Sequence, residues 1–198
     1  YIETITGLGG AFDRTGLFLK LIVTMYRMGL KKAECIFFQN QENRGIFERL
    51  GITAKKTRMV MGSGVNLERH KEEPYPKSDE THFLFVGRVM KERGILEFLE
   101  AARRLHTDKV HFDILGYCDE DYQQMLDELE EEGVIRQLGF HTEVHPYLTA
   151  ANAIVIASFH EGMSNALIEA AATGRPVIAS SISGCMEAFE EGKTGFGF

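Results

Sequence analysis

FHEGMSNALIEAAATGRPVIAS, residues 159–180, reads as the middle of a strand–helix–strand unit. It follows AIVIA (153–157), a short β-branched apolar run. A polar turn around Gly162 comes next, then a helix over 165–173 stopped by Gly174 and Pro176, then a second apolar run over 177–179. Two short apolar runs joined by a helix imply a parallel strand pair with a crossover between them. Two glutamates, Glu161 and Glu169, bracket the turn. A helix that only had to pack would need neither the glycine nor the polar turn, so the stretch asks what the turn is for.

The alternation continues on both sides. Strand-like runs are read at 1–6, 34–38, 58–61, 83–86, 110–115, 134–138, 153–157 and 177–179, with a strand start at the very end. Helical patterns lie at 17–32, 42–50, 95–106, 121–132, 144–151, 165–173 and 186–190. Between the third and fourth strands runs GSGVNLERHKEEPYPKSDE (62–80), polar, aperiodic and carrying Pro74 and Pro76. The chain therefore divides into 1–62, a linker over 63–80, and 81–198. The last part has the strand count of a doubly wound α/β domain with a parallel, Rossmann-like sheet. The first part, with three strands and two helices, is expected to be the tail of a preceding Rossmann-like domain.

Composition bounds the partners. Of 198 residues 44% are apolar, enough for a packed core. The net charge of −7 argues against nucleic acid as a partner. The charge is uneven, +5 over residues 1–70 and −12 over 71–198, as two units in different surroundings would give. Cys35, Cys118 and Cys185 are odd in number and far apart, which argues against a disulfide framework or a zinc site and suits a reducing, cytoplasmic compartment. No run reaches the ~20 apolar residues that span a bilayer. The basic stretch 14–32 sets Lys20, Arg27, Lys31 and Lys32 beside Leu17, Phe18, Leu21, Ile22 and Met25. Two readings stay open: a helix packed on its sheet with a solvated basic edge, and peripheral association with the inner face of an anionic membrane.

In a sheet of order 3-2-1-4-5-6, strands 1 and 4 are neighbours and ligands bind at their carboxyl ends. Counting from residue 83, strand 1 runs into Gly87-Arg88 and strand 4 into the loop 158–165. The two loops would face each other across one crevice. An arginine and a helix amino end both suit an anion. Carboxylates beside an anion want hydroxyl groups. A ligand with hydroxyls at both ends and a diphosphate between them is a nucleotide-sugar, with one glutamate for the sugar and one for the ribose. The plainer reading is that the glutamates are unrelated and that Ser164 or Asn165 only caps the helix.

FVGRVMKERGILEFLEAARRL (85–105), FDILGY (112–117) and the opening stretch resemble the C-terminal half of retaining glycosyltransferases of the two-Rossmann-domain (GT-B) type. Within that type they resemble the group with a Glu-x(7)-Glu motif, here Glu161 to Glu169. GCMEAFEEGKTGF (184–196) is similar to the family's turn after the fifth strand. TITGLG (4–9), FFQN (37–40) and GSGVNL (62–67) look like its bacterial capsule and O-antigen branch. The resemblance implies that Arg88 and Arg93, after Gly87, bind the diphosphate of a UDP-sugar. Arg93 stands where the family has lysine, with Lys91 as a nearby substitute. It implies Glu161 on the donor sugar, Glu169 on the ribose, and a backbone contact from Gly162, Met163, Ser164 and Asn165. His160 either touches the ligand or makes a structural hydrogen bond. Thr6 stands where the family often has histidine. The implied reaction moves a hexose or N-acetylhexosamine with retention to a polysaccharide or lipid-linked sugar acceptor, with no metal and no cofactor. The family usually continues beyond the GKTGF turn, so the donor domain is expected to be cut short.

Three motifs are set aside. In CDED (118–121), Asp119 and Asp121 suggest a metal pair but open an acidic helix, where carboxylates favour the dipole. GLGG (7–10) lacks the third glycine of a dinucleotide fingerprint, Phe12 standing in its place. The remaining histidines carry no pattern. A nucleotide-sugar epimerase of the non-hydrolysing type and a non-catalytic nucleotide-sugar binding module stay open as alternatives.

Overall fold

The computed structural model describes every residue except 13, 14, 119 and 120. Arg14 and Asp119 therefore lie outside the described residues. The chain begins with β1 (Ile2–Ile5), α1 (Leu17–Leu30), β2 (Cys35–Phe38), α2 (Gln41–Arg49) and β3 (Thr57–Met59). The strands form a parallel sheet in the order β1-β2-β3. Then follow β4 (Thr81–Val86), α3 (Ile95–Leu105), β5 (Val110–Leu115), α4 (Gln123–Glu131), β6 (Arg136–Gly139), α5 (His145–Ala150), β7 (Ala153–Ile156), α6 (Asn165–Ala172), β8 (Val177–Ala179), α7 (Ser183–Met186) and β9 (Gly195–Gly197). This second sheet is parallel throughout, in the order β6-β5-β4-β7-β8-β9. Counted from β4 it reads 3-2-1-4-5-6, the doubly wound order expected from the sequence, and the winding reverses between β4 and β7.

The central strand shows why the order is stable. Leu84 and Phe85 point to opposite faces, and each is 1% exposed. Phe85 packs with Phe98, Leu99, Phe112, Ile114, Leu126 and Leu129 under α3 and α4. Leu84 packs with Leu115, Leu148, Ile154, Leu167 and Val177 under α5 and α6. A parallel strand buried on both faces needs an apolar residue at every position, which FLFV provides. In α3 the buried residues are Ile95, Phe98, Leu99 and Ala102, one face of a helix.

Several elements differ from expectation. Val134 and Ile135 are buried but precede β6, because they fill the floor below α4 and do not pair. The helix expected at 186–190 forms earlier, at α7. α1 packs on the first sheet through Leu19, Val23, Tyr26 and Leu30, yet Leu17, Leu21, Met25 and Met28 are exposed. Arg27 turns away from the basic edge, and its Nε donates to Leu50 O at 3.0 Å. The segment between the sheets is pinned. Arg175, 2% exposed, donates to Glu73 O and Pro74 O, and the Tyr75 hydroxyl donates to Asn152 O at 3.1 Å.

Candidate functional site

The carboxyl ends of β4 and β7 open into a cavity of about 550 Å³. Of the residues expected there, Gly87, Arg88, Arg93, Glu161, Met163, Ser164 and Asn165 line it. The two loops are tied directly, Phe159 N donating to Glu92 O at 3.0 Å. Lys91 is exposed in the 3-10 turn Lys91–Arg93 and does not line this cavity. His160 and Gly162 line a second cavity of about 400 Å³ that shares Thr6, Arg88, Arg93 and Glu161 with the first.

At the amino end of α6 Ser164 occupies the N-cap position, but its side chain makes no capping hydrogen bond. Of the plainer reading, that Ser164 or Asn165 caps the helix, the position holds for Ser164 but the side-chain bond does not form. The first-turn N–H groups of α6 are left for another acceptor, and Asn165 and Ala166 of that turn line the cavity. The partial positive charge of the helix end faces the same volume as the Arg88 guanidinium.

Arg93 is committed. Its Nη1 is ion-paired with Glu161 Oε1, which also accepts from Ser158 Oγ at 3.0 Å. The Glu161 side chain is only 11% exposed, so this pairing satisfies a carboxylate that would otherwise be buried alone. Behind it lies Cys185, whose thiol is pushed up to about 12 by burial and by the Glu161 carboxylate; it is held as an inert core group.

Glu169 sits elsewhere. It lies in the second turn of α6, outside the main cavity, with Oε1 3.9 Å from His70 Nε2. Burial raises its carboxyl above the usual range, against the opposing pull of His70 and Arg69.

The first sheet closes the other wall, through residues of the TITGLG, FFQN and GSGVNL stretches to which the sequence reading gave no site role. Thr6, Gln39 and Ser63, after β1, β2 and β3, all line the main cavity. Asn40, 1% exposed, caps α2 by accepting from Asn43 N at 2.8 Å. Its Nδ2 donates to Gly162 O at 2.7 Å and Glu161 O at 3.1 Å. A Cβ on Gly162 would lie 1.8 Å from Thr6 O. The glycine thus serves a close approach to the first sheet, and not only an approach to ligand as the sequence suggested. Polar Gln39-Asn40 directly after the apolar run CIFF, within the FFQN stretch, was a signal for them.

Comparison with known proteins gives the following. Residues 80–198 match the family described as Glycosyl transferases group 1. An N,N'-diacetylbacillosaminyl-diphospho-undecaprenol alpha-1,3-N-acetylgalactosaminyltransferase of Campylobacter jejuni is 27% identical over 207 residues, covering 96% of this chain and 55% of its own length. A glycogen synthase of Mycobacterium tuberculosis is 33% identical over 130 residues, 61% of this chain and 30% of its own. The structure of Anabaena Alr3699/HepE in complex with UDP-glucose superposes with a TM-score of 0.80 at 19% identity, over 100% of this chain and 57% of that one. That likeness shows the fold. The chain spans about half the length of the Campylobacter relative and of the Anabaena structure.

Proposed function

Because the chain belongs to the glycosyl transferases group 1 family, we propose that it is the donor-binding part of an enzyme that transfers a hexose or N-acetylhexosamine from a UDP-sugar to a polysaccharide or lipid-linked sugar acceptor, with retention and without a metal in the cleft. On this reading residues 81–198 bind the donor and residues 1–62 belong to the acceptor-side domain. The observation that carries it is the uncapped amino end of α6 sharing one cavity with Arg88. In transfer, the bond from the anomeric carbon to the terminal phosphate oxygen breaks, and the charge left on the nucleoside diphosphate meets the α6 N–H groups and Arg88. Such preorganised donors act most strongly where charge develops. The acceptor hydroxyl oxygen takes the anomeric carbon and gives up its proton to the departing phosphate oxygen. Support for the donor and acceptor classes comes from HepE, solved with UDP-glucose, and from the Campylobacter relative, named for a diphospho-undecaprenol-linked sugar. Product analysis with UDP-sugars separates transfer from epimerisation and from binding alone.

The two glutamates divide the test. Glu169→Gln is expected to weaken UDP and UDP-sugar alike, by about 1–2 kcal/mol, the penalty for ribose hydroxyls left imperfectly paired. Glu161→Gln is expected to spare UDP and weaken UDP-sugar by a similar amount, its amide oxygen still accepting from Arg93. Burial raises the Glu169 carboxyl, so folding favours its protonated form; that stability is present at acid pH and lost as pH rises through the raised value. At neutral pH the Glu169→Gln variant should therefore melt no lower than the parent. Calorimetry showing one ratio of UDP to UDP-sugar affinity in both variants would overturn the division.

Contact of α1 with an anionic membrane surface is also proposed, supported by the exposed row Leu17, Leu21, Met25 and Met28 near exposed Lys20, Lys31 and Lys32. It predicts co-sedimentation with anionic but not with neutral vesicles, abolished by Leu21→Glu.

A further inference from the structure

At the amino-terminal edge of the second sheet, opposite the donor cleft, two histidines meet across adjacent strands. His82 of β4 is in register with His111 of β5, so both side chains leave the same face. Their rings stack with centroids 4.7 Å apart at 25°. Glu80 reaches over both, its Oε2 lying 3.6 Å from His82 Nε2 and 3.6 Å from His111 Nε2.

The protonation pattern follows from the neighbours. Asp113 takes a fork from Arg136, at 2.9 Å and 3.0 Å, so it is an ionised acceptor. Its Oδ2 also lies 2.9 Å from His82 Nδ1. His82 therefore donates from Nδ1, and in the neutral ring the lone pair is on Nε2, toward Glu80. A carboxylate behind a histidine in this way is the support that metal-ligating histidines commonly have. The Arg136 charge is spent on Asp113.

His111 adds the decisive oddity. Its Nε2 is buried and has no hydrogen-bond partner among the described residues, Glu80 being just beyond reach. A buried polar atom with no partner calls for one, an ion included. The three donor atoms lie within 4.8 Å of one another. Nitrogen and oxygen ligands about 2.0–2.1 Å from a tetrahedral ion stand about 3.3–3.4 Å apart, close to the 3.6 Å seen from Glu80 to each ring. A cavity of about 180 Å³ adjoins them, leaving room for a fourth ligand from solvent.

We propose that Glu80, His82 and His111 bind a divalent transition-metal cation, with zinc the best chemical fit. Two imidazoles and one carboxylate with an open position suit that ion. The site joins the starts of β4 and β5, and His82 stands four residues before Val86, the last residue of β4, so about 13 Å of strand separates it from the donor cleft. It serves the fold and not the transfer step. The cysteine spacing spoke against zinc, whereas this site uses histidines 29 positions apart, paired only by the sheet register.

The test uses untagged chain stripped with EDTA and titrated with Co²⁺, followed by visible ligand-field absorption and by competition with Zn²⁺. About one equivalent is expected to bind with a tetrahedral or five-coordinate spectrum and to raise Tm. His111→Ala, which removes the unpartnered ring, is expected to abolish the signal, and Glu80→Gln, at an exposed position, to weaken it. Asp113→Asn is expected to weaken it roughly 10–100-fold through His82. UDP affinity should be the same with and without metal, which separates this site from the donor cleft. Absence of saturable Co²⁺ binding by the parent, or binding that survives in both His111→Ala and Glu80→Gln, overturns the proposal.

Discussion

Gly162→Ala is expected to lower stability by about 3 kcal/mol or more and to weaken UDP binding with it. The added Cβ would lie 1.8 Å from Thr6 O and 2.4 Å from Gln39 Oε1. Thr6 O is backbone and cannot rotate aside. The loop after β7 must withdraw from the first sheet, and in doing so it gives up the hydrogen bonds from Asn40 Nδ2 to Glu161 O and Gly162 O. Overpacking alone costs about 1–3 kcal/mol, and each lost bond adds about 1. For a chain of this size that is a fall of about 6–12 °C in Tm. Gly29→Ala is the control, because that glycine lies inside α1 with open space around it. Its stability should be kept or slightly raised. A Gly162→Ala variant that melts with the parent would mean that the approach to Thr6 is not held in solution.

Arg88→Ala is expected to weaken UDP by about 1.5–3 kcal/mol, or roughly 10–150-fold, the worth of a charge-assisted hydrogen bond to the diphosphate. Arg88 lines both cavities beside the amino end of α6. Arg88 is also exposed, so its removal should leave Tm nearly unchanged. Loss of affinity without loss of stability is the signature of a ligand contact. Excess EDTA should leave UDP binding by the parent intact, because no metal is proposed in the cleft. Unchanged UDP affinity in Arg88→Ala would remove the arginine from the site, and binding restored only by Mg²⁺ or Mn²⁺ would overturn the metal-free reading.

The strand order of the second sheet was legible because β7 and β8 and most of β4 are continuous apolar runs between breakers, as burial on both faces demands. The facing of Arg88 and α6 followed from that order alone. What failed was local. Val134 and Ile135 look like a strand because they are apolar and β-branched, yet apolarity reports burial and not pairing. The helix expected at 186–190 starts three residues earlier, at Ser183, where Gly184 weakens a helical pattern; the glycine is there because a Cβ would lie 2.4 Å from Glu161 O. The pairing of Arg93 with Glu161, across 68 positions, and the Asn40 contacts, across more than 120, are products of chain folding that no window of sequence contains. The histidine pair at the start of β4 and β5 was invisible for the same reason.

The amide of Asn40 joins two structural events that are otherwise separate. One of its atoms caps the start of α2, and the other holds the carbonyls of Glu161 and Gly162. Neither bond can be broken by rotating that amide without straining the other. Fraying of the first turn of α2 and release of the loop after β7 are therefore a single cooperative step, and the two sheets share part of their unfolding free energy through one side chain.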